Sequence, residues 1–262
     1  MRKSRMITMA ACLCCLLFTS SCNLSNRDKD TVVKVNDEFS IDLFEVLKDS
    51  RDLQFVVTTA EEQPCINNKI DFALHRKSGK ILLDLIEILP ASDCEHGPAR
   101  ISTAASIGHL IPGTYATQIN LKNTIFNEGI LQVTPDAIKL SMSTHNGFEL
   151  VRRELRRIPD RLVWGYVAHN NQQLAPTADA FLAELNTLTE PQTLPKGYYS
   201  YFTINNDKVA VMSQTPPFPF FKTFYRLSNW NINELKDLLQ NYRTEYGEQL
   251  EIKLYTWNGQ VL

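Results

Sequence analysis

The chain has 262 residues, 44% of them hydrophobic and 21% charged, enough for one large domain or two smaller ones with real cores. Lys and Arg number 27 against 29 Asp and Glu, so the sequence carries no basic footprint for nucleic acid. With 10 glycines and 12 prolines, the chain is neither collagen-like nor low-complexity.

Arg2, Lys3 and Arg5 precede an apolar run, Met6–Phe18, and small residues Thr19, Ser20 and Ser21 lead to Cys22. This is the layout of a cleaved secretory signal. As helix the apolar run spans about 20 Å, short of the roughly 30 Å hydrocarbon core, so a permanent membrane span is not expected. The stretch Phe18-Thr19-Ser20-Ser21-Cys22 resembles the lipobox of bacterial lipoproteins, with Thr19 where a leucine-like residue is commoner. The resemblance implies removal of a signal peptide, residues 1–21, and lipidation of Cys22 by diacylglycerol and a further acyl chain. Acyl chains at about 0.8 kcal/mol per buried methylene make a durable membrane anchor. Asn23, rather than aspartate, follows the cysteine. By resemblance to enteric lipoprotein sorting, that implies the cell envelope and its outer membrane. Residues 22–30 are polar and read as a tether. Within them, Arg27-Asp28-Lys29-Asp30 resembles the charged export signals of Bacteroidota surface lipoproteins.

Cys12, Cys14 and Cys15 leave with the signal, and Cys22 takes the lipid. Cys65 and Cys94 remain, and an even pair in an oxidising compartment predicts a disulfide. Two buried thiols are the other reading. Residues 31–147 read as an all-β domain. Strand-like runs are Phe39–Val46, Leu53–Thr59, Ile70–His75, Ile81–Leu89, Arg100–Ala105, Tyr115–Leu121, Ile130–Val133 and Ala137–Met142, separated by turn signals. Their spacing suggests a β-sandwich of Greek-key, immunoglobulin-like kind. The turn Ile111-Pro112-Gly113-Thr114-Tyr115 resembles the tyrosine corners of such sandwiches, in which the hydroxyl reaches back to backbone.

Residues 148–160 form a connector rich in arginine: Arg152, Arg153, Arg156 and Arg157, with Arg161 just beyond. They suit phosphate or a sulfated glycan, or else pair with acidic neighbours. Residues 161–262 read as an α+β domain. Leu162–Ala168 is apolar on both faces. Thr177–Leu188 repeats apolar residues at helical spacing. Tyr198–Ile204 and Val209–Met212 suggest a hairpin, and Phe220–Leu227 another strand. Asn231 and Glu234 open a second helix in capping-box fashion, Gly247 closes it, and Leu250, Ile252 and Leu254 alternate in a last strand. The order βαβββαβ predicts a ferredoxin-like sheet with helices on one face.

Chemistry motifs are absent: there is no Gly-x-Ser-x-Gly, His-Glu-x-x-His, Walker, EF-hand or Gly-x-Gly-x-x-Gly pattern. The 5 histidines show no ligand spacing. Asp93-Cys94-Glu95-His96 reads as a solvated loop beside the disulfide. No catalytic residue, metal ligand or cofactor is therefore assigned. The functional signal is aromatic density from Tyr198 to Trp230. Tyr199, Tyr201, Phe221, Tyr225 and Trp230 are the candidate binding residues, a platform for a sugar ring or a protein partner. The competing reading is that these rings fill a core. Together the sequence predicts a lipid-anchored, non-enzymatic envelope protein that binds or scaffolds a protein or glycan partner. An envelope hydrolase with dispersed residues and an inhibitor or immunity lipoprotein are the alternatives.

Overall fold

The computed structural model describes residues 35–48, 50–206, 208–211 and 215–262. The signal segment 1–21, Cys22, the tether and residue 212 of the predicted hairpin lie outside the described residues. Strands β1 (Phe39–Val46) and β2 (Asp52–Thr59) alternate between buried and part-buried positions, the period of a strand with one face on a core. There follow β3 (Gln63–Cys65), β4 (Lys69–Lys77), β5 (Lys80–Leu89), β6 (His96–Ala99), β7 (Ser102–Gly108), β8 (Gly113–Leu121), β9 (Ile125–Val133) and β10 (Ala137–Met142). Two short strands, β11 (Phe148–Leu150) and β12 (Glu154–Arg156), occupy the arginine-rich stretch.

These strands build two facing sheets, in the orders β11-β1-β2-β7 and β12-β10-β9-β8-β5-β4. Phe39, Ile41, Leu43, Phe55 and Val57 of the first sheet meet Ile81, Leu83, Ile119, Leu131 and Leu140 of the second in one core. Tyr115 makes the predicted corner, its hydroxyl donating to the Ile111 carbonyl at 2.9 Å. Cys65 and Cys94 are joined as a disulfide, which ties the end of β3 to the segment just before β6; the two strands pair as a separate two-stranded ribbon.

Strand β13 (Leu162–His169) is buried at every position, as its unbroken apolar sequence requires of a strand covered on both faces. After it come α1 (Ala175–Thr187), β14 (Thr189–Glu190), β15 (Gly197–Tyr198), β16 (Phe202–Asn205), β17 (Lys208–Val211), β18 (Phe220–Ser228), α2 (Ile232–Tyr246) and β19 (Leu250–Thr256). The third sheet runs β14-β18-β13-β19, and all its pairings are antiparallel. It is an antiparallel sheet with both helices against one face, as the sequence predicts, and it departs from the expected strand count at one place. That place is the predicted hairpin: β15, β16 and β17 pair among themselves as a small meander and do not enter the main sheet.

Val163, Val167, Phe224, Ile252 and Leu254 face the helices, against Phe181, Leu185, Leu235 and Leu239. The opposite face packs Leu162, Trp164 and Tyr255 against Phe202, Ile204 and Val209 of the meander, together with Tyr199, Leu194, Ile158 and Leu47. Leu47 follows β1, so this core draws on both halves of the chain. The seam is hydrogen-bonded as well as packed. The Glu45 amide donates to Ser200 Oγ at 2.9 Å and the Leu47 amide to Tyr201 Oη at 3.0 Å. The Phe44 ring lies 5.2 Å from that of Tyr201. Gly259, at φ 81°, backs onto the Leu47 carbonyl, where a Cβ would stand 2.0 Å from the oxygen. Val35–Leu262 thus forms one compact unit. Among the described residues no helix is long and apolar enough to cross a membrane.

Candidate functional site

At one end of the third sheet, three chain segments converge on a single exposed indole. β13 begins after Arg161, β18 ends at Ser228 two residues before Trp230, and β19 ends one residue before Trp257. Backbone pairing fixes the three. Ser228 donates to the Arg161 carbonyl at 2.9 Å, and Trp257 donates to the Leu162 carbonyl at 2.9 Å. The Trp230 amide donates to Ser228 Oγ at 3.1 Å. The Trp230 and Trp257 rings meet edge to face, with centroids 5.7 Å apart. The Arg161 guanidinium carbon lies 5.5 Å from the Trp230 centroid, within range of a cation–π contact.

Trp230 is 64% exposed, although its neighbour Trp257 packs against both cores of this half. The backbone is strained at this point. Arg161 has φ 67° and Trp230 φ 69°, a left-handed region that bulky residues rarely enter and that costs of order 1–3 kcal/mol. A large apolar ring is thus held out in water by a hydrogen-bonded mount, beside a cation. That arrangement suits recognition: tryptophan and arginine are the side chains most enriched among interface hot spots.

The other predicted binding residues do not join it. Tyr199 is buried, and its hydroxyl donates to the Pro195 carbonyl at 2.7 Å. It repeats the geometry of Tyr115, a hydroxyl reaching back four residues, with a buried leucine five residues before it in each case (Leu110 and Leu194). Tyr199 is a corner residue of the meander and offers no ring to a ligand. Burial pushes its pKa up to about 12, against the opposing pull of Arg156. Tyr201 and Tyr225 are half-buried beside the same core, and Tyr201 Oη is committed to the seam. Phe221 is 50% exposed but pairs opposite Ala168, at the far end of β18 from Leu227 and Leu162. Six strand residues put it roughly 20 Å from the tryptophan end. The predicted single aromatic platform is therefore divided between a core and two ends of one sheet.

The far end holds a second apolar feature. Phe220 stacks on His169, with centroids 5.5 Å apart. Nearby, a groove of about 510 Å³ runs beside β19, lined by Phe218, Arg243, Leu250, Ile252 and Val261. A smaller hollow lies against Tyr166, Pro217 and Glu251. Tyr166 donates to Glu251 Oε1 at 2.8 Å, and burial, reinforced by that carboxylate, raises the Tyr166 pKa well above the usual phenol range.

Three arginines of the run are paired with carboxylates of this chain. Arg157 Nη2 lies 2.8 Å from Glu45 Oε1, Arg152 Nη1 3.1 Å from Asp42 and Arg156 Nη2 2.8 Å from Glu154. The Arg152 guanidinium also sits 3.7 Å over the Tyr198 ring. Among the described residues no group of three His, Cys, Asp or Glu side chains is placed to hold a metal ion. The sequence signal for Arg161 and Trp257 as partners of Trp230 was absent, because their proximity depends on strand register. No family model, no curated protein and no solved structure matches this chain.

Proposed function

We propose that this chain is a lipid-anchored protein of the cell envelope, held at the outer membrane by acyl chains on Cys22, that captures a protein partner through Trp230 without catalysing a reaction. One observation carries the capture half of this reading: an indole 64% exposed, mounted on strained backbone between Arg161 and Trp257. A protein partner is favoured over a glycan because the ring protrudes beside a cation, as a knob for a partner's pocket. The lipobox-like stretch before Cys22 supports the anchor. The disulfide fits an oxidising compartment. The two-layer β-sandwich suits a cell-surface module, and its Greek-key, immunoglobulin-like kinship, as well as a division into two domains at the arginine-rich connector, belong to the same proposal.

The test is affinity purification from native membranes in mild detergent, with cross-linking and mass spectrometry, using the full chain and its Cys22→Ala and Trp230→Ala variants. The expected result is a stoichiometric envelope partner. Trp230→Ala weakens its capture about thirtyfold or more, as loss of a hot spot of about 2 kcal/mol requires. Cys22→Ala leaves the protein unlipidated and depletes it from the membrane fraction. A Trp230→Ala protein that retains the partner fully overturns the capture site. Retention of a glycan in place of a protein overturns the partner class.

A further inference from the structure

The ribbon of β3 and β6 stands apart from the sheets and is lightly held. Ile66 donates its amide to the Glu95 carbonyl at 3.0 Å. Glu95 donates its amide to Asn67 Oδ1 at 3.1 Å, and Asn67 Nδ2 donates to the Asp93 carbonyl at 2.5 Å. Cys65 and Cys94 are only half-buried, and Ile66, Glu95 and His96 beside them are exposed. The two sulfurs differ in their surroundings. His96 Nδ1 lies 3.5 Å from Cys94 Sγ, while the backbone of His96 pairs opposite Cys65 in the ribbon.

We propose that Cys65–Cys94 is a reducible bond with a built-in direction: Cys65 is the sulfur attacked, and Cys94 is the leaving sulfur stabilised by His96. The co-reactant is a dithiol. One of its thiolates attacks Cys65 Sγ, forming a mixed disulfide, and the Sγ–Sγ bond breaks with its electron pair on Cys94. The Nδ1–H of His96 hydrogen-bonds the developing thiolate. The second thiol of the co-reactant, as thiolate, then displaces Cys65. The protein gains two thiols and the reductant becomes a disulfide. A better-stabilised leaving thiolate departs faster, and a neighbouring imidazole is among the groups that stabilise a cysteine thiolate. Reduction frees the ribbon, residues 60–68 and 90–100, while the sandwich core, which does not include either cysteine, stays packed.

The full chain is treated with excess glutathione, quenched in acid, alkylated at the freed thiol and digested. Mass spectrometry then locates glutathione. The expected product carries glutathione on Cys65 about three- to tenfold more often than on Cys94, the size set by a thiolate shift of one to two pKa units and a Brønsted sensitivity near 0.5. His96→Ala, at an exposed position, brings the ratio close to one. Equal labelling in the parent chain, glutathione mainly on Cys94, or a ratio unchanged by His96→Ala overturns the assignment. Hydrogen exchange of the reduced chain is the second measurement. Ribbon amides that exchange freely while β1 and β8 remain protected support the switch, and β1 or β8 exchanging as fast as the ribbon shows a global staple and overturns it.

Discussion

Changing Glu45 to glutamine tests whether the seam between the two halves depends on a buried ion pair. Glu45 is 3% exposed and Arg157 10% exposed. Arg157 Nε and Nη2 reach Glu45 Oε1 at 2.9 and 2.8 Å, and Arg51 Nε lies 3.9 Å from Oε2. Glu45→Gln keeps the shape and leaves the Arg157 charge buried without its counter-ion. Breaking such a pair from one side costs about 3–5 kcal/mol. In a unit of this size each kcal/mol moves Tm by about 2–4 °C. The expected fall in Tm is therefore about 6–20 °C, read by circular dichroism during heating and checked by urea unfolding. The double variant Glu45→Leu with Arg157→Met recovers much of the loss, since apolar replacement of a whole pair is often neutral. A Glu45→Gln protein within about 2 °C of the parent refutes the reasoning, because it places the pair in effective contact with water.

Four further outcomes are expected. Replacing both Cys65 and Cys94 by serine lowers unfolding stability by about 3–4 kcal/mol for a loop of this span, measured in urea without reductant. Tyr199→Phe and Tyr115→Phe each cost about 1 kcal/mol by loss of the corner hydrogen bond, and Tyr199→Phe leaves partner capture intact, which separates it from Trp230→Ala. Gly165→Ala destabilises by about 3 kcal/mol or more, because a Cβ there would stand 1.9 Å from the Lys253 carbonyl oxygen; unfolding curves that superimpose on the parent's contradict this. Burial raises the Asp42 pKa above its ordinary 3.8, only partly offset by Arg152 and the Leu43 amide. The folded state then holds this proton more tightly than the unfolded chain. The contribution is fully present below pH 3.8 and is lost as pH rises through the folded value. The stability difference between Asp42→Asn and the parent, measured by urea unfolding across that window, therefore shifts in favour of the variant as pH rises; a constant difference speaks against the shift.

Strand periodicity made most of the architecture readable. Phe39–Val46 and Ala137–Met142 are strands at the positions their alternation predicts, and β13 is covered on both faces as its apolar run requires. The short strands β3, β6, β11 and β12 carry no period of their own: three or four residues pair because neighbouring strands present a template. The place of the hairpin is not legible in the sequence for a related reason. Nothing local to Phe202–Val211 distinguishes a strand of the main sheet from a separate meander, and only the tertiary packing against Trp164 decides it. At the candidate site, Trp230 was legible from composition. Tyr199 was not separable from it until its hydroxyl was seen on Pro195, although the Leu-x-x-x-x-Tyr spacing around a turn, shared with Leu110 and Tyr115, is visible in the sequence.

The contact of Gly259 with the Leu47 carbonyl has a consequence for the order in which the molecule assembles. Nearly the whole described chain separates the two residues, and Leu47 shares its core with Trp164 and Tyr255. A chain emerging from its N-terminus can pair β1 with β2 early, because their separation is short. It cannot close over Leu47 until its last strand has arrived. Long-range closures of this kind pay the loop entropy before any contact repays it. The seam is therefore the last region to form, and the intermediate that precedes it leaves Leu47, Ile158 and Trp164 open to water and to other chains.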